Sequence, residues 1–94
     1  MELYVRVTEK GELVERDWTN ERGEVRNIAS LELTLSNGLD EIRAECNDDL
    51  ARNIAKNGLP ADGLFRVRLK FTVRSSKEKK IKFNSVRILD IQQL

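Results

Sequence analysis

Histidine is absent from this 94-residue chain, cysteine and proline each occur once, and only five residues are aromatic. Each scarcity removes a class of chemistry. Without histidine no Ser-His-Asp constellation can be assembled, and a single cysteine supplies neither an internal disulfide nor a zinc-ligand set. No nucleophile stands in the sequence with a base to activate it, so the chain reads as a non-enzyme with no cofactor and no metal. Long apolar runs are missing as well: nothing approaches the ~18 residues of a membrane span. The opening MELYVRVTEK begins in alternation, without the basic and apolar regions of a secretion signal, and points to a cytoplasmic protein with no membrane partner.

What the chain has in quantity is charge. Charged residues make up 35% and apolar residues 39%, with both signs interspersed among aliphatics, which is the composition of a folded chain. The length allows one core, so residues 1–94 are expected to form one domain. Side chains on a strand alternate between two faces, and Leu3, Val5 and Val7 alternate with Tyr4, Arg6 and Thr8. Gly11 interrupts that run and LVERDW at 13–18 resumes it, which predicts one long first strand, bent near Gly11 and ended by the turn TNERG at 19–23. A second strand follows over 25–35 with Ala29, Leu31, Leu33 and Leu35 on one face. Asn37-Gly38 offers the backbone angles of a tight hairpin into a third strand carrying Ile42, Ala44 and Cys46. Asn47 can cap a helix over 48–57, Asp48 and Asp49 suit its positive end, and Gly58 with Pro60 should stop it. In the fourth strand, 65–74, Phe65, Val67, Leu69, Phe71 and Val73 alternate with Arg66, Arg68, Lys70, Thr72 and Arg74. The fifth runs over 81–91, where a parity shift near Asn84-Ser85 is expected. The core is expected to hold Val5, Leu31, Leu33, Ile42, Leu50, Ile54, Val67, Leu69, Phe71 and Ile88.

Three strands, a short helix and two more strands, in about 90 residues, resemble the OB-fold, a five-stranded Greek-key barrel with its helix between strands three and four. The long first strand with its mid-strand glycine, the W-T-N-x-x-G turn at Trp18 to Gly23 and the closing F-N-S-V-R-I at Phe83 to Ile88 resemble the compact single-stranded DNA-binding proteins of that fold. The resemblance implies an all-β domain that binds single strands, DNA rather than RNA, with bases stacked on aromatics and phosphates met by Lys and Arg. Matched position by position, it puts Trp18 and the outward cations of the fourth and fifth strands in those roles.

The charge distribution supplies an independent argument. From Arg66 to Arg87 nine cations stand against one anion, a balance of +8 that leaves −7 for the rest of a chain whose net charge is +1. Arg66, Arg68, Lys70 and Arg74 lie on one face of one strand, where nearest same-face neighbours are about 6.5 to 7 Å apart, near the phosphate spacing of an extended single strand. Lys77, Lys79 and Lys80 follow in the next loop. These seven cations and Trp18 are the candidate nucleic-acid-binding residues. A plainer explanation of the row is protection of a sheet edge against pairing with another chain. Glu32, Glu41 and Glu45 decorate strands two and three, so a ligand is expected toward strands one, four and five. The alternative function is a protein-interaction or self-assembling OB-fold module, whose bipolar surface pairs its basic segment with the acidic part of a partner or a second copy.

Overall fold

The computed structural model describes residues 1–60, 62–76, 78 and 80–94. Its elements are β1 (Glu2–Lys10), β2 (Val14–Thr19), β3 (Val25–Ser36), β4 (Glu41–Asn47), α1 (Asp48–Asn57), β5 (Phe65–Ser75) and β6 (Lys82–Gln93). The expected first strand is thus two strands, six in place of five, yet both pieces run along one partner. Arg6 to Lys10 pair with Ser36 to Leu33, and Val14 to Thr19 pair with Ser30 to Val25. Between them the Gly11 N–H donates to the Glu32 carbonyl at 2.8 Å. A Cβ at Gly11 would stand 3.0 Å from that carbonyl oxygen, so close backbone approach explains the glycine.

The strands close in a ring: β1 pairs with β5, β5 with β6, β6 with β4, β4 with β3, and β3 with β1. Every pairing is antiparallel except β4 with β6, which is parallel and consists of the single bridge Glu45 to Arg87. With α1 between β4 and β5, this is the Greek-key OB barrel that the sequence predicts. Leu31, Leu33, Leu35, Ala44, Cys46, Val67, Leu69 and Ile88 fill the interior, and Ala51 and Ile54 bring the helix onto it. Each buried leucine contributes roughly 1.5 to 3 kcal/mol by leaving water. Ile42 and Leu50 pack partly buried against this core.

Four local expectations are corrected. Phe71 is 47% exposed instead of buried, because β1 begins opposite Arg68 and among the described residues no strand continues beside β5 beyond it. The parity shift in β6 falls at Leu89, not near Asn84-Ser85: Arg68 pairs with Asp90 and Leu69 with Ile88, so Leu89 is the extra residue. The Asn37-Gly38 connection is a four-residue turn, since Ser36 pairs with Glu41 and the Asn37 carboxamide accepts from the Leu39 and Asp40 N–H groups at 2.9 and 2.8 Å. Asn47 stands at the helix start but makes no side-chain cap bond. Asp48 instead ties the helix to β3, its Oδ1 accepting from the Ala29 N–H at 3.2 Å. The far end is as expected, with the Gly58 N–H bonded to the Ile54 carbonyl at 2.8 Å. Among the described residues no helix is long and apolar enough to cross a membrane.

Candidate functional site

Two hairpin arms leave the barrel, and the extents of 44 × 32 × 19 Å reflect them. In the first, β2 pairs, among the described residues, only with the outer half of β3. Paired residues of an antiparallel ribbon share a face. Val14 with Ser30, Arg16 with Ile28 and Trp18 with Arg26 therefore lie on one side, and Glu15 with Ala29, Asp17 with Asn27 and Thr19 with Val25 on the other. The second side turns to the helix: Arg52 Nε stands 3.5 Å from Glu15 Oε1, and Arg52 Nη2 donates to the Asn27 carbonyl and Oδ1 at 3.0 and 2.9 Å. The paired strands of the arm thereby send Glu15 and Asp17 to one face and Arg16, Arg26 and Trp18 to the other. Its tip is built by Asn20, whose Oδ1 accepts from the N–H groups of Arg22 and Glu24, both at 2.9 Å, and by Gly23 at φ +79°.

The second arm is the outer part of the β5–β6 hairpin. Leu69 is the last residue of β5 with a partner on the far side, exchanging backbone bonds of 2.7 and 3.0 Å with Met1. Beyond it, Lys70 with Arg87, Thr72 with Ser85 and Arg74 with Phe83 share one face, while Phe71 with Val86 and Val73 with Asn84 share the reverse. Lys70, Thr72, Arg74, Ser85 and Arg87 line a shallow hollow on the first face. Phe83 is 50% exposed there.

Between the arms runs a groove. One part, of about 660 Å³, is bounded by Gly11, Glu12 and Val14, by Glu32, Arg43 and Glu45 on the floor, and by Asn84, Ser85 and Val86 opposite. The adjoining part, about 340 Å³, is bounded by Arg16 and Ile28 on one side and by Asn47 and Arg87 on the other. Val14, Ser30 and Glu45 border both. On the floor Arg43 Nε pairs with Glu32 Oε1 at 2.9 Å. With its carboxamide turned to satisfy both neighbours, Asn47 donates to Glu45 Oε1 at 2.9 Å and accepts from Arg87 Nε at 3.1 Å.

The candidate residues separate into groups. Trp18, 51% exposed, shares the groove-side face of its arm with Arg16. Arg66 is engaged within the sheet, donating to Gln92 Oε1 and standing 3.8 Å from Glu2 Oε1. Arg68 lies in register between Glu2 and Asp90. Lys70 and Arg74 stand beyond the Leu89 bulge on the arm and, with Arg87, make no ion pair among the described residues. The four cations that sequence spacing puts in one row are thus divided by what flanks them. Lys80 is exposed at the turn of the arm, its N–H bonded to the Ser76 carbonyl at 3.1 Å. Lys77 and Lys79 lie outside the described residues. Sequence reasoning missed Arg16, Arg26 and Phe83, and left Arg87, counted in the basic segment, out of the candidate residues. The odd positions 83, 85 and 87 would have pointed to two of them had the bulge been expected at Leu89. Cys46 takes no part: it is wholly buried, and burial, reinforced by the Glu45 charge, pushes its thiol up to about 12.

The topology and groove define the chain as an OB barrel with two extended arms. No protein-family model and no curated protein sequence matches it. Among solved structures it is similar to the small single-stranded DNA-binding protein from Streptomyces coelicolor, at 18% sequence identity and a TM-score of 0.44, over 99% of this chain and 91% of that one.

Proposed function

We propose that this chain is a non-enzymatic, cytoplasmic module that binds single-stranded nucleic acid, DNA being the expected form, in the groove between its arms. One observation carries the reading: each arm presents cations and a half-exposed aromatic ring on one face, Arg16, Arg26 and Trp18 on the first, Lys70, Arg74, Arg87 and Phe83 on the second. A single strand offers phosphates to such cations and base faces to such rings, and stacking tolerates any base. A duplex keeps its bases covered. Titrating the tryptophan fluorescence with a single-stranded oligonucleotide at two salt concentrations, beside a duplex control, tests this. Salt-sensitive binding of the single strand in preference to the duplex is expected; no binding at ~50 mM salt rejects the reading.

Self-association is a second reading with its own observation. Backbone groups alternate sides along a strand, so Phe71, Val73 and Ser75 direct theirs, like Leu69, away from β6, where among the described residues no strand pairs with them. The face above this open edge carries Phe71, Val73 and Val86, with Ile42 beside them. Two copies pairing antiparallel about Val73 would set each Arg74 opposite a Thr72, whereas pairing about Thr72 would oppose Lys70 to Arg74 and repel. Sedimentation equilibrium across a range of concentrations decides whether dimers form.

A further inference from the structure

Resting on the single-strand reading, we infer that the groove prefers bases bearing an exocyclic amino group and disfavours thymine and uracil, with Glu45 as the discriminating residue. The reason is the separation of charge between rim and floor. Arg16 and Arg26 stand on one arm and Lys70, Arg74 and Arg87 on the other, whereas Glu45 borders both parts of the groove at its centre. A phosphate laid on the floor would meet that carboxylate. A strand in the groove therefore places its phosphates toward the arms and its base edges downward.

Glu45 differs from the other floor carboxylate. Glu32 is occupied by Arg43 at 2.9 Å, but among the described residues Glu45 receives only the Asn47 amide, on Oε1. An ionised carboxylate accepts hydrogen bonds at about four lone-pair positions and donates none, so most of its capacity faces the groove. Cytosine brings an N4 amino group, adenine an N6 amino group, and guanine N1–H beside its N2 amino group. Each gives Glu45 a donor. Thymine and uracil offer only N3–H between two carbonyl oxygens, which a carboxylate repels. Leaving a polar group of the site poorly paired is what makes such discrimination strong.

The test compares oligo-dC with oligo-dT of equal length, in mildly alkaline buffer where cytosine is unprotonated. Both are pyrimidines, so stacking and phosphate contacts are closely matched. Oligo-dC is expected to bind roughly five- to twentyfold tighter. In Glu45→Gln, whose amide can also donate, the ratio should fall to within about twofold, although removing a negative charge strengthens binding to both strands. Equal binding by the unmodified chain, tighter binding of oligo-dT, or a preference that survives in Glu45→Gln overturns the inference and leaves the single-strand reading standing. Binding to neither strand rejects that reading itself. The comparison within the unmodified chain is decisive even if Glu45→Gln folds poorly.

Discussion

Glu45 on β4 and Arg87 on β6 meet as the one bridge between those two strands among the described residues, so one residue pair both closes the barrel and borders the groove, Glu45 at its floor and Arg87 at its side. Asn47 links the same two side chains, at 2.9 and 3.1 Å. The barrel is therefore held least where the ligand is proposed to lie. Arg87→Ala should reduce single-strand affinity for all sequences alike, since a phosphate contact positions a strand without reading it. If Arg16, Arg26, Lys70, Arg74 and Arg87 each meet a phosphate, log K should fall against log salt with a slope near −3.5, and the variant should flatten it by about 0.7. An unchanged slope would remove Arg87 from the interface.

Trp18 and Phe83 are half-exposed and stand on different arms. Replacing either with alanine should weaken single-strand binding by ~1 to 3 kcal/mol. Thermal melting should show far less than the ~3 to 5 kcal/mol that truncating a buried aromatic costs. A large loss of stability with intact binding would make the ring a packing group.

The basic strand is predicted to act in two unequal halves. Arg68 has Glu2 and Asp90 in register on either side, whereas Lys70 and Arg74 have Arg87, Thr72, Ser85 and Phe83 as face neighbours. Lys70→Glu and Arg74→Glu should each lower affinity more than Arg68→Glu, measured by titration at one salt concentration. Equal effects would show that the whole row tracks the strand.

Cys46 predicts an alkaline limit to stability. Its thiol ordinarily titrates near 9.0, and in the folded chain it is pushed up to about 12 by burial and the Glu45 charge. Between these values the unfolded state has lost its proton while the folded state keeps it, so stability falls as pH rises through that window. Below about 9 both states are protonated and the contribution is flat. The stability offset between the wild type and Cys46→Ala, set by the lost core packing, should stay constant below about pH 9 and shift in the variant's favour above it in denaturant melts, and a thiol reagent at neutral pH should react only on unfolding. Rapid labelling of the folded protein would contradict the burial.

Much of the fold was legible in one dimension. Period-two alternation identifies the strands over Leu3–Val7, Ala29–Leu35, Ile42–Cys46 and Phe65–Leu69, because burial on one side of a sheet requires it. Gly58 and Pro60 stop the helix for equally local reasons. The cationic composition of residues 66–87 could also be counted directly. Alternation assigns a side chain to a face, however, and says nothing about what covers that face. Phe71 continues the inward pattern of Val67 and Leu69 but is exposed, because β1 starts opposite Arg68 and the hairpin outruns the barrel. Arg66 and Arg68 look equivalent to Lys70 and Arg74 until the register brings Glu2, Gln92 and Asp90 beside the first two only. Trp18 and Phe83, distant in sequence, are carried on two arms of one barrel only when β4 and β6 close the ring through Glu45 and Arg87. Local alternation determined which residues could share a side; the long-range pairing of strands decided which of those sides meet, because that depends on contacts between residues far apart in the chain.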